Sequence, residues 1–306
     1  MHSFDIQCHL CRLETPTLNS TNALLGSNPN LLDYQGTATE CGLQLFSWHK
    51  CQQNQPLILV YNRIPKAGST TMIKLVKELS QRNGFQVVIP RSYNYTAANI
   101  AILDAIAAKR KTFIVNHFKF PEIFVDDEIG YINVMRHPVD RCISWYYYSR
   151  YAHSYRTFAL QKRGNDTLDE CVSKPENERK VCLNCIQDVQ ARFFCGRADG
   201  KCQGAPLEYV FERAKRNINL HYFVGLAEAY EETVASLELA YPDFFKGAKE
   251  ILAETSPRNV MKKRSEYVYP SEETRKFLAG WLDHEIYLYN YAASKFYDYH
   301  RKCVAG

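Results

Sequence analysis

The sequence predicts an α/β protein: a central, mostly parallel sheet flanked by helices, with a helical C-terminal half. Three observations predict it. From Gln55 onward, short apolar runs alternate with segments of helical periodicity. The short runs are apolar throughout, as strands buried on both faces are. From Pro206 on, the pattern is mainly helical.

Taken in order, Pro56–Tyr61 reads as a buried strand. Thr70–Arg82 reads as a helix, because Met72, Ile73, Leu75, Val76 and Leu79 recur at helical spacing. Gln86–Ile89 is a second strand and Ala97–Lys109 a second helix. Thr112–Val115 and Gly130–Met135 are further strands. Val139–Tyr151 is a helix, and Pro138 before it suits a first helical turn. Pro206–Asn217, Leu226–Tyr241 and Ser271–His300 read as helices. Strand–helix alternation of this kind covers a parallel sheet on both faces, and ligands bind such sheets at the carboxyl ends of the strands. Residues 1–52 are polar and irregular and read as an extension or stem. The folded domain is expected over 53–306.

The chain has 306 residues, 46% hydrophobic and 23% charged, which excludes a disordered chain. A net charge of +5 suits an anionic ligand, although a solvated surface also carries such an excess. No run of 18 apolar residues is present. The eleven cysteines stand at 8, 11, 41, 51, 142, 171, 182, 185, 195, 202 and 303, and glycosylation sequons stand at Asn19, Asn94 and Asn165. Together they point to an oxidising, glycosylating compartment. The odd cysteine count leaves at least one thiol free or paired outside the chain. No leader pattern opens the sequence, so the N-terminus is expected to be incomplete. Cys8-x2-Cys11 and Cys182-x2-Cys185 have the spacing of half a zinc site. Neither finds a partner pair at the usual spacing, so no metal is expected.

Two stretches carry chemistry. In Arg63-Ile-Pro-Lys66-Ala-Gly-Ser-Thr-Thr71, a strand feeds a helix through a loop with one lysine, one glycine and three hydroxyls. Backbone N–H groups and the helix dipole make such a junction a phosphate site. It is not a Walker A loop, because Lys66 precedes the glycine. In the second stretch Arg136 stands at a strand end, and Ser144 follows eight residues later within a helix. Together they have the spacing to grip one phosphate. Singly, an ion pair and a plain helix serine are the structural alternatives.

As a pair, these stretches resemble the two signatures of sulfotransferases that use 3′-phosphoadenosine 5′-phosphosulfate (PAPS). Further strings extend the resemblance to the uronyl 2-O-sulfotransferases of heparan and dermatan or chondroitin sulfate. They are Tyr61-Asn-Arg-Ile-Pro-Lys66, Asn116-His117, Tyr131-Ile-Asn-Val-Met-Arg136, Asp169-Glu-Cys171, Arg192-Phe-Phe-Cys-Gly196, Tyr222-Phe-Val-Gly-Leu226 and Phe244-Phe-Lys-Gly247. The resemblance covers roughly residues 55–300. It implies a P-loop-like sulfotransferase fold and transfer of a sulfuryl group from PAPS to the 2-hydroxyl of a hexuronic acid. Two departures stand out. Arg136-His-Pro138 replaces the usual Arg-Asp-Pro, and the loop reads Lys-Ala-Gly-Ser. Neither removes a charge or hydroxyl from the phosphate contacts.

The resemblance assigns roles. Lys66, Ala67, Gly68, Ser69, Thr70 and Thr71 would hold the 5′-phosphosulfate, with Lys66 stabilising the departing phosphate. Arg136 and Ser144 would hold the 3′-phosphate. His117 follows a strand end, and a histidine pKa of about 6.5 suits proton abstraction. A lone histidine is as a rule structural, and the match at Asn116-His117 is what makes it the candidate general base. His49 and His137 are the competitors. Arg63 is the foremost candidate for the polyanionic substrate. Arg150, Arg156, Lys162 and Arg163 form a basic run that either binds sulfated sugar or is a solvated face. Lys262, Lys263, Arg264 and Ser265 resemble a late loop that closes over cofactor and acceptor. Cys171 with Cys182 or Cys185, and Cys195 with Cys202, look like the family's disulfides. The family also implies the Golgi lumen, a membrane anchor that this chain lacks, a glycosaminoglycan partner, no nucleic acid, and homo-oligomers. Transfer to another sugar hydroxyl and a catalytically silent glycan-binding relative are the alternatives. A nucleotide kinase is disfavoured by the missing Walker A loop.

Overall fold

A computed structural model describes residues 45–91, 95–121, 127–151, 165–185, 187–196, 202–255 and 268–305. They belong to one compact unit, Leu45–Gly306. Its centre is a five-stranded sheet: β1 (Ile58–Asn62), β2 (Gln86–Val88), β3 (Thr112–Asn116), β4 (Ile129–Met135) and β5 (Tyr222–Leu226). The order is β2-β3-β1-β4-β5, and every pairing is parallel. All residues of β1, β3, β4 and β5 are buried, which is why these strands read as unbroken apolar runs.

The β1–β2, β2–β3 and β4–β5 connections run through helices. Helix α1 (Ser69–Asn83) buries Met72, Leu75, Val76 and Leu79, a single stripe at helical spacing. It ends at Gly84 in the left-handed region, φ 69°, with the Gly84 N–H bonded to the Ser80 carbonyl. Helix α2 is Tyr95–Ala108 and α3 is Pro138–Tyr151. Short helices α4 (Leu168–Val172), α5 (Glu176–Leu183) and α6 (Val189–Cys195) follow. Then come α7 (Leu207–His221), α8 (Tyr230–Ala240), α9 (Pro242–Phe245), α10 (Ala248–Thr255), α11 (Glu272–Trp281) and α12 (Asp283–His300).

Three expectations are corrected. The stretch expected to be one helix from Leu226 is preceded by strand β5, and its helix begins only at Tyr230. Residues 222–225 lie between the two helices expected over Pro206–Asn217 and Leu226–Tyr241 and are assigned no element from sequence; parallel pairing with β4 makes Tyr222–Leu226 a strand. The helix expected over Ser271–His300 breaks at Leu282 into α11 and α12. Finally, the folded unit begins before residue 53. Phe46 and Trp48 are buried against Phe223 and Tyr299. The Leu45 and Phe46 N–H groups bond the Leu220 carbonyl, and Cys51 is bridged to Cys303.

Among the described residues four disulfides are present: Cys51–Cys303, Cys142–Cys185, Cys171–Cys182 and Cys195–Cys202. Cys171 therefore takes Cys182, and Cys185 takes Cys142. Among the described residues no helix is long and apolar enough to cross a membrane.

Because Phe46 has no exposed surface, Phe46→Ala should destabilise the domain by about 3–5 kcal/mol through the lost burial and the cavity left behind. Urea unfolding of wild type and variant measures this. An unchanged midpoint would return residues 45–52 to the stem.

Candidate active site

The carboxyl ends of β3, β1 and β4 lie side by side, with Asn62 in register with Asn116 and Tyr61 with Ile132. Each delivers one candidate group: β3 leads into His117, β1 into the Arg63–Gly68 loop, and β4 into Arg136. The sheet's connections diverge on either side of β1, so this is the switch point where α/β sheets bind ligands.

Three strand asparagines hold this edge of the sheet together. Asn62, Asn116 and Asn133 are all buried. Asn133 Nδ2 donates to the Asn62 carbonyl at 2.8 Å and to Asn62 Oδ1 at 3.1 Å. The Tyr222 hydroxyl also donates to Asn62 Oδ1, at 2.9 Å. Asn62 Nδ2 donates to the Phe193 carbonyl at 3.3 Å. Asn116 Nδ2 donates to the Pro90 carbonyl at 2.6 Å, and its Oδ1 accepts the His117 N–H at 2.8 Å. Asn62 and Asn133 fall within strings that carry the resemblance, but neither is assigned a role from sequence alone. The available signal is an amide in an otherwise apolar strand, at the end of β1 and within β4, which must find partners when buried.

The loop after β1 is shaped for an anion. Gly68, φ 81°, stands at the N-cap of α1, and no side chain caps the helix. A Cβ on Gly68 would meet the Tyr230 ring at 3.4 Å in a backbone region that L residues rarely adopt. Lys66 is itself left-handed, φ 67°. Its ammonium lies over the Tyr148 ring, 3.9 Å from the centroid. Tyr148 is one helical turn beyond Ser144 on α3, so the loop lysine reaches the helix that carries Ser144. Arg136 Nη1 donates to the Lys66 carbonyl at 3.2 Å, joining the two phosphate stretches directly. Ala67 and Ser69 are buried, Thr71 is partly buried and Thr70 is exposed. Arg63 Nη1 lies 3.4 Å from Ser69 Oγ.

His117 is half-buried, with Nδ1 2.8 Å from the Arg63 carbonyl. A carbonyl only accepts, so Nδ1 carries the proton and the basic lone pair is on Nε2. Burial, and then the Arg63 charge, push the imidazole down to about 4, well below the ordinary value the sequence suggested. Burial, and then Arg136, lower Lys66 to about 8. The charges acting on both groups are arginines, a positive field into which an anion fits.

Other candidates fall elsewhere. Arg150 is corrected: it is fully buried, stacked on Tyr146 at 3.6 Å and donating to the Cys182 carbonyl at 2.6 Å. It is a structural residue that closes the end of α5 and does not face a substrate. His137 packs edge-on against Tyr289, and His49 lies beside Lys302 at the C-terminal turn. Ser144 is buried on α3. Asn165 is exposed, with its Oδ1 accepting from the Tyr151 hydroxyl. Arg156, Lys162, Arg163, Lys262, Lys263, Arg264, Ser265, Asn19 and Asn94 lie outside the described residues.

The His117 ring should remain neutral down to about pH 4. Arg63→Gln removes a neighbouring positive charge, favours the imidazolium, and should raise the midpoint toward the ordinary histidine value. NMR titration of the ring carbons measures both. A wild-type midpoint near about 6.5 would show that the ring is not held in this environment.

Residues 54–292 match the sulfotransferase family. Over 239 residues the chain is 29% identical to heparan sulfate 2-O-sulfotransferase 1 of Gallus gallus and 28% to that of Homo sapiens, covering 72% of this chain and 65% of each relative. Heparin sulfate O-sulfotransferase of Drosophila melanogaster is 30% identical over 263 residues, 78% of this chain and 72% of that one. The chain thus spans about 65% of the length of the two vertebrate relatives. With the family match covering the whole sheet and all three strand-end loops, the chain belongs to the sulfotransferase family, whose members use a sulfuryl donor.

Proposed function

We propose that this protein transfers a sulfuryl group from PAPS to the 2-hydroxyl of a hexuronic acid in heparan sulfate. One observation carries the reading: a histidine with its basic nitrogen assigned stands just past the end of β3, the strand paired with the one that feeds an uncapped, lysine-bearing anion loop. The relatives named as heparan sulfate 2-O-sulfotransferases favour heparan over dermatan or chondroitin as the acceptor.

The residues fit the donor. Gly68 leaves the first turn of α1 open to a phosphosulfate, and Lys66 and Arg136 flank it with positive charge. Arg136 and Ser144 are the 3′-phosphate ligands in this reading. When bound, PAPS supplies the sulfuryl group and a phosphate leaving group. Lys66 stabilises negative charge developing on that phosphate. His117 Nε2 takes the proton of the acceptor hydroxyl, while the Arg63 carbonyl holds Nδ1–H and fixes the ring. The anionic donor counteracts the arginine field and raises the His117 pKa towards the working pH, strengthening it as a base. Arg63 also faces the anionic acceptor. The bridged cysteines and exposed Asn165 support residence in the Golgi lumen.

Labelled sulfate offered from PAPS to 2-O-desulfated heparan, chondroitin and dermatan, followed by disaccharide analysis, tests this. Label should appear on uronyl C2 of heparan, and label confined to hexosamine would overturn the assignment. His117→Ala should lose about a hundredfold or more in kcat while keeping donor affinity. Lys66→Ala should weaken donor binding and transfer together.

The Lys66 charge also sets a pH limit. Its ammonium is lost as pH rises through about 8, so kcat/KM for the donor should fall there. Lys66→Arg keeps its charge at every accessible pH and should abolish that alkaline limb, whatever its overall rate. A limb unchanged in Lys66→Arg would assign it to another group.

A further inference from the structure

Arg136 lies just past the end of β4, where the ladder to β5 stops at Met135 paired with Leu226. Its backbone is nevertheless fully engaged. The Arg136 N–H donates to Gln190 Oε1 at 3.1 Å, and Gln190 Nε2 donates to the Arg136 carbonyl at 2.9 Å. One side-chain amide thus takes both polar groups of a single residue, as a neighbouring strand would. The amide's orientation is unambiguous, because an N–H can only donate and a carbonyl only accept.

Gln190 is completely buried and is fixed in turn. Its own N–H donates to Glu285 Oε1 at 2.7 Å. Glu285 comes from the first turn of α12, and its Oε2 faces Arg141 Nη2 at 3.6 Å. Both members of that pair are buried. Burial raises the Glu285 pKa, and the Arg141 charge opposes that shift. Arg141 closes the circuit on α3, its N–H bonded to the His137 carbonyl. A buried ion pair is a weak source of stability, and fixing a geometry is a use such pairs can have.

We propose that Gln190 is a positioning residue for Arg136, held by the buried Glu285–Arg141 pair, and that it sets the preference for a donor carrying a 3′-phosphate. The clamp holds the Arg136 backbone while Nη1 spans to the Lys66 carbonyl. The guanidinium therefore stands at a fixed distance from the 5′-phosphate loop. This inference rests on the reading of Arg136 as the 3′-phosphate ligand. It goes beyond that reading by naming what fixes it.

The test uses the full chain and two probes in calorimetry: 3′-phosphoadenosine 5′-phosphate and adenosine 5′-phosphate, which differ only in the 3′-phosphate. Wild type should prefer the first, and Arg136→Ala should abolish the preference. Gln190→Leu should reduce it roughly ten- to a hundredfold, the cost of misplacing a binding group by about an ångström. Affinity for adenosine 5′-phosphate should stay nearly unchanged. Gln190→Glu keeps the acceptor and loses the donor, so it should fall between. It is read in place of Gln190→Leu if thermal melting shows the latter unfolded. No preference in wild type would sink the phosphate reading of Arg136 itself. A preference lost in Arg136→Ala but intact in both Gln190 variants would overturn only the positioning role. A parallel loss for both probes would also overturn it, showing Gln190 to be merely structural.

Discussion

Asn62 ends the central strand with an amide that water does not reach, and much of the site is arranged by the need to satisfy it. Its oxygen takes Asn133 and Tyr222, and its nitrogen reaches the Phe193 carbonyl. That fastens the carboxyl end of β1 to the body of β4 and to the amino end of β5, and it draws in the end of α6. The Phe193 carbonyl also accepts the Phe120 N–H, which anchors the segment just after His117. One buried side chain therefore couples the loops after β1, β3 and β4. An unsatisfied buried polar group costs about 1–3 kcal/mol. A sheet slipped out of register would leave several such groups at once, so the geometry of the loops is tied to the register of the core.

Above that platform the site is held by charge and backbone shape. Lys66 adopts a left-handed conformation that costs a non-glycine residue about 1–2 kcal/mol. Two contacts offset this: the Arg136 guanidinium on its carbonyl and the Tyr148 ring under its ammonium. The left-handed turn at Lys66, followed by Gly68 at the N-cap, is how a lysine placed before the glycine serves an anion. In a Walker loop the lysine follows the glycines and opens the helix. Here it precedes the helix and faces α3, which carries Ser144.

Much of this was legible in the sequence, and the remainder is non-local. The strands β1, β3 and β4 show in the apolar pattern because their burial is complete, the helices α1 and α3 because they carry buried apolar residues, and the short, half-exposed β2 shows between helical segments. Lys66, His117 and Arg136 are legible because strand ends are where ligands bind and because their strings resemble a family. Strand β5 is not, since five apolar residues contiguous with α7 carry no period of their own. Phe46 and Trp48 escape because two aromatics in a polar stretch do not reveal that Phe223 and Tyr299 lie opposite. Asn62, Asn133 and Gln190 depend wholly on partners distant in sequence. Their types are ordinary, and only the fold gives them work.

Arg150 shows why a basic run misleads and what the disulfides contribute. As the last-turn arginine of α3, it has the charge and reach of a glycan ligand. The Cys171–Cys182 bridge ties α5 back to α4, and Cys142–Cys185 ties the segment after α5 to α3. The end of α5 is thereby laid over α3, and its orphan Cys182 carbonyl takes the Arg150 guanidinium. Among the described residues every cysteine is bridged. In an oxidising compartment the wall that carries Ser144 and Tyr148 is thus covalently braced. In a reducing one those two covalent ties would be absent, so the compartment chemistry is part of what braces that wall.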